Sequence, residues 1–132
     1  MTQMVLDFHN AMDVPAYSKP VLASAERGEL RKKLVKEEVS ELCEAIDKGD
    51  LVAIADGLAD SMYVIIGTAW EYGLGECLGK VFAEVHRSNM TKIDPETGKP
   101  IKREDGKVIK PATYSPANIS PIIAKFQKIP SI

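Results

Sequence analysis

The sequence predicts an all-α fold, namely a four-helix bundle followed by a short β-hairpin and an extended tail. Long stretches with helical apolar spacing lie between residues 24 and 90, and they are separated by short breaks at glycine. Short connections of this kind join antiparallel neighbours in helical bundles. Beyond residue 92 turn signals and prolines replace the helical pattern. We expect the 132 residues to form a single domain, with the helical core at about 1–92 and the hairpin and tail at about 93–132.

Each helix is predicted from the residues at its ends. Ser24 and Asp50 are suitable N-caps, because their side-chain oxygens can accept hydrogen bonds from the first free backbone N–H groups. Gly49 and Gly73 are natural stops, because glycine adopts the left-handed conformation that ends many helices. The predicted helices are Met4 to Met12, Ser24 to about Lys48, Asp50 to about Tyr72, and about Glu76 to Ser88 or slightly beyond.

The sequence of the C-terminal part indicates little regular structure. Thr97-Gly98 and Asp105-Gly106 are turn signals between short alternating runs, which indicates a two-stranded hairpin. The stretch 112–132 contains several prolines and isolated apolar residues, so we expect an extended tail that lies over the bundle or over a partner subunit. A hairpin and tail with so few core residues would not be stable alone.

Composition limits the partners of the chain. With 45% hydrophobic and 27% charged residues it is an ordinary globular sequence, and its net charge of −2 favours neither nucleic acid nor an acidic membrane. The segment from Leu51 to Trp70 is long enough to span a bilayer, but Asp56 and Asp60 near its middle oppose insertion. A buried helix in a soluble bundle explains this segment better, so we expect no membrane or nucleic-acid partner.

Two cysteines, Cys43 and Cys77, lie in apolar helical patterns and form no metal-type cluster. We expect both to be reduced thiols in the core. The N-terminus lacks the charged-then-apolar order of a signal peptide. The sequence therefore predicts a cytoplasmic protein.

Acidic residues are concentrated on two consecutive helices. On the second helix four glutamates occupy one sector beside the apolar face, and on the third two aspartates are one turn apart. Because the third helix is apolar in nearly every other direction, we expect its aspartates to be partly buried. These residues are Glu37, Glu38, Glu41 and Glu44 on the second helix, and Asp56 and Asp60 on the third.

Buried, unpaired carboxylates cost several kcal/mol each, and like charges raise one another's pKa. A hard divalent cation, Mg²⁺ or Mn²⁺, takes oxygen ligands and can complete its shell with substrate phosphates. Two alternatives stay open: the glutamates, Glu44 above all, can form a solvated helix face, and the aspartates can serve a structural salt bridge or cap. The chain lacks the Cys/His spacing that zinc sites require and the Glu-x-x-His spacing that di-iron sites require, so both kinds of site are disfavoured.

Three segments resemble the all-α nucleoside triphosphate pyrophosphohydrolase superfamily, which includes MazG-like enzymes, phosphoribosyl-ATP pyrophosphohydrolase and the dimeric dUTPases. They are EEVSE (37–41), DGLAD (56–60) and EVHRSNMTK (84–92). The resemblance covers roughly residues 30–92 and is closest to short bacterial and phage MazG-like proteins. These tend to carry a tail of the pattern GK…DGKV.KP, which is matched here by Gly98-Lys99 and by Asp105 to Pro111. It implies a four-helix MazG-like bundle that assembles as a homodimer or homotetramer.

The resemblance also implies a Mg²⁺ site. Glu38, Glu41 and Asp60 match the metal ligands of the family, and Glu37 matches a further ligand or the group that orients the attacking water. The family pattern has Glu three residues before Asp60, where this chain has Gly57; Asp56 is the expected substitute. The implied catalytic residues are Glu37 and Glu38, and the implied metal ligands are Glu38, Glu41, Asp56 and Asp60.

Arg87, Asn89 and Lys92 lie at the end of the fourth helix, where the helical pattern ceases. Arginine and lysine donate to phosphate oxygens, and the asparagine amide can donate to a phosphate or bind a sugar or base. The resemblance implies that these three residues bind the substrate. For Arg87 the alternative is a positive charge that stabilises the helix C-terminus.

The implied activity is Mg²⁺-dependent hydrolysis of nucleoside triphosphates (NTP or dNTP) between the α- and β-phosphates, which yields a monophosphate and pyrophosphate. Within the same fold, a base-specific enzyme for dUTP, dCTP or phosphoribosyl-ATP is an alternative. A non-catalytic helical binding module is a second alternative from a different class. The metal would polarise the phosphates and lower the pKa of a bound water, while Lys92 and Arg87 offset the developing charge.

Overall fold

The computed structural model describes residues 1–128, and the last four residues of the predicted tail lie outside them. Within this range there are five α-helices and three short β-strands, in two compact units, Met1–Glu76 and Cys77–Lys128. The predicted class, a mainly helical fold with a short hairpin, is confirmed. In chain order the elements are α1 (Thr2–Ala11), α2 (Ala25–Lys48), α3 (Leu51–Glu71), α4 (Leu78–Met90), β1 (Ile93–Asp94), β2 (Lys99–Lys102), β3 (Val108–Ile109) and α5 (Ser120–Gln127).

The predicted ends of α2 and α3 are confirmed. The Ser24 side chain accepts a hydrogen bond from the Arg27 backbone N–H at 3.2 Å, and that of Asp50 accepts from the Ala53 N–H at 3.1 Å. Gly49 ends α2 with φ of 66°, the left-handed conformation that glycine adopts without strain. Only Gly49 and Asp50 connect the two helices, so they form a tight helical hairpin.

The two helices of this hairpin run antiparallel, because Gly28 lies beside Tyr72 and Leu42 lies beside Gly57. At Gly57 the backbones approach closely: a Cβ atom there would be 3.0 Å from the Leu42 Cα. This contact brings residues 37–41 of α2 to the same level as residues 56–60 of α3. The hairpin therefore places the two acidic stretches side by side.

Helix α1 packs against the C-terminal part of α3 and starts two residues earlier than predicted. The Trp70 indole N–H donates to the Thr2 carbonyl at 2.9 Å, and the Trp70 carbonyl accepts from the Tyr17 N–H at 2.9 Å. Val5 is 2% exposed and His9 is also buried, with its Nδ1 3.0 Å from the Pro15 carbonyl oxygen. The core of Met1–Glu76 therefore lies around the end of α3 that is distant from Asp56 and Asp60.

The sequence-based expectation that α3 is buried on all sides is wrong. In Met1–Glu76 the neighbours that pack on α3 are α1 and α2, and these cover only part of its circumference. Leu58, Met62 and Ile65 are exposed, and so are Asp56 and Asp60, which we expected to be partly buried. By length and composition α3 could cross a membrane, but a core helix of a soluble protein meets the same criteria.

The unit Cys77–Lys128 differs from the prediction at two places. The hairpin is a three-stranded antiparallel sheet in the order β1-β2-β3, in which Ile93 pairs with Pro100 and Ile101 with Ile109. The tail is not extended throughout, because residues 120–127 form α5. Pro121 lies in the first turn of that helix, where its missing N–H leaves no hydrogen bond unmade.

Of the two cysteines, only Cys77 is in the core as predicted. It is fully buried, and burial raises the pKa of its thiol. Cys43 is exposed, so the expectation for this residue is wrong. Neither cysteine forms a disulfide in the described part of the chain.

Candidate functional site

The hairpin of α2 and α3 assembles a group of carboxylates that we call the acidic cluster: Glu37, Glu38, Glu41, Asp56 and Asp60. Glu38 is half-buried, whereas the other four side chains are exposed. One carboxylate oxygen of Glu38, Oε2, is buried and has no hydrogen-bond partner in the described part of the chain. Such an atom is costly unless a partner absent from the protein itself satisfies it.

The electrostatics place Glu38 within the acidic cluster. Burial raises the pKa of the Glu38 carboxyl, and the charges of Glu41, Asp60, Glu37 and Asp56 raise it further, in that order. The charges that act on Glu38 thus come from both helices and have the same sign. Its ionised form is therefore less favourable than that of a free carboxyl, and a cation placed among these groups would favour ionisation. Glu44 is an exposed side chain on the same helix.

Gly57 explains why this chain departs from the Glu-x-x-Asp spacing of the family it resembles. Its Cα faces the backbone of Leu42, and a Cβ atom would be 3.0 Å from the Leu42 Cα and 3.2 Å from its Cβ. A glutamate at this position would push the two helices apart. The crowding at Gly57 is consistent with the expectation that Asp56, at the preceding position, replaces the glutamate of the family pattern.

The described residues include no group of three His, Cys, Asp or Glu side chains that already converge on a metal position. The donor set nevertheless fits a hard cation, because it consists of carboxylates alone, and these are the ligands that Mg²⁺ and Mn²⁺ prefer. Glu37, Glu41, Asp56 and Asp60 are exposed, so each can change rotamer without repacking the core. These four side chains and the unpartnered oxygen of Glu38 could hold the ion.

We predict that metal-free stability depends on pH through Glu38. The folded protein raises the pKa of this carboxyl above 4.5, so it binds the proton more tightly than the unfolded chain does. The stabilising contribution is complete below the unfolded pKa and is lost as pH rises through the folded value. The midpoint of thermal unfolding of the metal-free protein should therefore fall as the pH is raised from 4.5 through the folded pKa of Glu38. Mg²⁺ should increase this midpoint more at the higher pH, where the carboxyl is ionised.

The control for this prediction is Glu38→Gln, which removes the titrating group and should flatten that part of the pH profile. If Mg²⁺ raised the midpoint of thermal unfolding equally at every pH in both proteins, the acidic cluster would not be its binding site.

The three predicted substrate-binding residues, Arg87, Asn89 and Lys92, lie in the unit Cys77–Lys128, whereas the acidic cluster lies in Met1–Glu76. Asn89 is exposed and Lys92 is half-buried. The Arg87 guanidinium is already engaged: its Nε and Nη2 donate to Glu84 at 3.0 and 2.8 Å, and Nη1 donates to the Ser115 hydroxyl at 3.2 Å. Binding of a phosphate by Arg87 would have to compete with these bonds.

Glu84 joins α4 to the segment that precedes α5. It accepts hydrogen bonds from Arg87 and from the Asn118 N–H, at 3.1 Å for the latter, and these two partners lower the pKa of its carboxyl to about 2. A lowered pKa contributes stability that is present above the unfolded value of 4.5 and is lost as pH falls through about 2.

We therefore predict that Glu84→Gln loosens the segment around Asn118. Amide hydrogen exchange at Asn118 should become several-fold faster at neutral pH, because its acceptor loses its charge. Glu104→Gln, at an exposed carboxylate, is the matched control and should leave this rate unchanged. Equal exchange rates at Asn118 in all three proteins would contradict the prediction.

Sequence reasoning missed two residues beside the predicted phosphate-binding group. The Tyr114 hydroxyl is 3.3 Å from the Ser88 Oγ, and the Lys110 Nζ lies 4.7 Å from the centre of the Tyr114 ring. The hydrogen bond from Ser88 lowers the pKa of Tyr114, and the charges of Lys110, Lys92 and Arg87 lower it further. The tail therefore returns to the end of α4, a long-range contact that local spacing does not reveal.

Comparison with known protein families identifies a family that the chain matches. A sequence model of the family described as phosphoribosyl-ATP pyrophosphohydrolase matches residues 5–89, which is more than half of the 132 residues. The matched range contains the whole acidic cluster, Arg87 and Asn89, and it ends before Lys92. No curated protein matches the chain.

Proposed function

The chain belongs to the phosphoribosyl-ATP pyrophosphohydrolase family, within the MazG-like superfamily, and from this premise we propose that it hydrolyses nucleoside triphosphates with Mg²⁺. Family membership supports a pyrophosphohydrolase that acts on a nucleotide-like substrate. The finer proposal is cleavage of an NTP or dNTP between the α- and β-phosphates. Water adds to phosphorus, the bridging P–O bond breaks, and the products are a nucleoside monophosphate, pyrophosphate and a proton.

One observation carries this proposal. The Oε2 atom of Glu38 is buried without a partner, and four like charges from two helices act on the same carboxyl. A purely structural carboxylate at this position would be neutralised by a lysine or arginine, as Glu71 is elsewhere on α3. A cluster that is unfavourable when empty and fits a hard cation supports metal-assisted phosphate chemistry.

Each residue has a proposed role. Glu38, Glu41, Asp56 and Asp60 would hold Mg²⁺, which would supply Lewis-acid polarisation of the phosphates. Glu37 orients the attacking water and accepts its proton. Lys92 and Asn89 donate to phosphate oxygens, and Arg87 joins them when it exchanges Glu84 for the substrate.

A second candidate is hydrolysis of phosphoribosyl-ATP itself, which the description of the matching family favours. It involves the same bond and the same acidic cluster. Base-specific hydrolysis of dUTP or dCTP is a further possibility within the fold. A non-catalytic binding module would retain the helices but would bind Mg²⁺ negligibly.

The test is an assay of pyrophosphate release with the purified full chain across the common NTPs and dNTPs and phosphoribosyl-ATP, with Mg²⁺, with Mn²⁺ and with chelator. We expect release that depends on the metal, and the preferred substrate distinguishes the candidates. Calorimetry with Mg²⁺ alone provides the second readout. If neither hydrolysis nor metal binding is measured, the enzyme assignment is wrong and the binding module is favoured.

We also propose that the enzyme is a cytoplasmic homodimer or homotetramer. The exposed face of α3 includes Leu58, Met62 and Ile65, and monomeric proteins rarely leave such a face open. Analytical ultracentrifugation should give a mass of at least two chains. The variant Met62→Glu should shift the equilibrium towards the monomer, whereas a wild-type protein that is monomeric at all concentrations would overturn this proposal.

A further inference from the structure

A cavity of about 210 Å³ lies between the loop before α2 and the C-terminal end of α3. All of its walls belong to the unit Met1–Glu76. Most of the lining is apolar or aromatic, and the charged side chains in it are Arg27 and Glu71. The remaining lining residues are Pro15, Tyr17, Val21, Leu22, Ala23 and Ser24.

The two charged residues in the wall are incompletely satisfied. Glu71 is 1% exposed; its Oε1 accepts a hydrogen bond from Arg27 Nη2 and is 3.9 Å from Arg31 Nη1. The other oxygen, Oε2, is buried and has no partner among the described residues, and the same is true of Arg27 Nε. One hydrogen-bond acceptor and one donor of residues that line the same cavity are therefore unsatisfied within the described part of the chain.

This cavity is separate from the acidic cluster. Arg27 lies eleven residues before Glu38 on α2, and Glu71 lies eleven residues after Asp60 on α3. At 1.5 Å per residue, each separation is about 16 Å along the helix. The unsatisfied atoms, Arg27 Nε and Glu71 Oε2, therefore do not belong to the acidic cluster.

We propose that this cavity binds a nucleobase. An N–H of the base would donate to Glu71 Oε2, and an adjacent ring nitrogen or carbonyl oxygen would accept from Arg27 Nε. Such pairs of adjacent donor and acceptor atoms occur on the edge of every common base, and base pockets combine them with apolar or aromatic walls like Val21 and Tyr17. The base can belong to the nucleotide being hydrolysed, a source that rests on the proposed function, or to a separate nucleoside.

Nucleoside binding tests this proposal without metal or hydrolysis. The full chain is titrated with adenosine, guanosine, cytidine and uridine, with ribose as the base-free control. Trp70 is the only tryptophan in the chain and adjoins Glu71, so its fluorescence reports on occupancy of the cavity. We expect at least one nucleoside to bind saturably and ribose to have no effect.

Two variants test the assigned atoms. Glu71→Gln should weaken nucleoside binding by about tenfold to hundredfold, because a charged acceptor is lost. Its matched control is Glu29→Gln, which makes the same chemical change in the exposed Glu29–Lys32 pair and should bind normally. Since Glu71→Gln can also weaken folding, Ala23→Phe provides an independent test: it fills the half-exposed edge of the cavity and leaves the ion pair in place.

Competition separates the two sources. If the cavity holds the base of the substrate, the nucleoside should inhibit pyrophosphate release competitively, and Ala23→Phe should raise KM for nucleotides but not for inorganic tripolyphosphate. If it holds a separate nucleoside, the nucleoside should bind equally well when nucleotide is saturating. Either result supports the proposal.

The proposal is overturned if no nucleoside binds the wild-type protein, in which case water alone fills the cavity. It is also overturned if folded Glu71→Gln and Ala23→Phe bind nucleosides as tightly as the wild type does. Because binding is measured without Mg²⁺, a protein that binds a nucleoside but releases no pyrophosphate would refute the proposed function and leave this inference intact.

Discussion

Replacing Glu38 by glutamine is expected to lower Mg²⁺-dependent pyrophosphate release by at least about a hundredfold. Glutamine has nearly the same shape but no charge, so the variant should fold while losing the central ligand of the acidic cluster. Without metal it should unfold at a higher temperature than the wild type, because the repulsion from Glu41 and Asp60 is relieved. Lower activity together with higher metal-free stability distinguishes a functional carboxylate from a structural one.

The controls for this experiment come from the same two helices. Asp60→Asn should lose activity to a similar extent, because its carboxylate approaches Glu38 from α3. Glu44→Gln makes the same chemical change on the same helix at an exposed position and should keep most of the activity. If Glu38→Gln or Asp60→Asn retained wild-type turnover, the assigned site would be wrong.

Gly73→Ala is expected to cause a large loss of stability, about 3–5 kcal/mol in the free energy of unfolding. Gly73 has φ of 64°, in the left-handed region, and an added Cβ would overlap the backbone carbonyl oxygen of Lys19. A backbone atom cannot rotate away as a side chain can. The loop that carries Tyr17, whose N–H is bonded to Trp70, would have to move. Urea denaturation monitored by circular dichroism measures the loss.

Gly49→Ala is the matched control, because Gly49 has nearly the same φ of 66° but no atom within 4 Å of an added Cβ. It should lose only the cost of the left-handed conformation, about 1 kcal/mol. The difference between the two variants isolates the collision with Lys19. If both variants lost the same amount, the close approach of the loop to Gly73 would be wrong.

The helical part of the fold could be predicted because its signals are local. Ser24, Gly49 and Asp50 each act through their own backbone conformation or a hydrogen bond within one turn, so their effect is visible in sequence. The third strand and α5 were not predicted. Prolines in the tail favour irregular structure, yet a proline in the first helical turn is compatible with a helix, as Pro121 is in α5.

The sequence indicated which carboxylates lie near one another, but it did not indicate how exposed they are. Helical spacing placed Glu38 and Glu41 on one face, and the short turn implied that α3 brings Asp60 beside them. Spacing cannot reveal how many neighbours cover a helix, so the exposure of Asp56 and Asp60 was missed. The contacts of Tyr114 with Ser88 and of Arg27 with Glu71 join residues distant in sequence, and no local pattern marks them.

Because Gly49 and Asp50 form a tight turn, the alignment of the carboxylates on α2 and α3 depends on the number of residues between this turn and the acidic residues. One extra residue on either helix between the turn and the acids would rotate the carboxylates by about 100° and shift them by about 1.5 Å. Substitutions at exposed positions of this stretch keep that register, whereas an insertion or deletion would displace the carboxylates of one helix from those of the other. We therefore expect active relatives to keep the number of residues in this stretch constant, even where the exposed residue types differ.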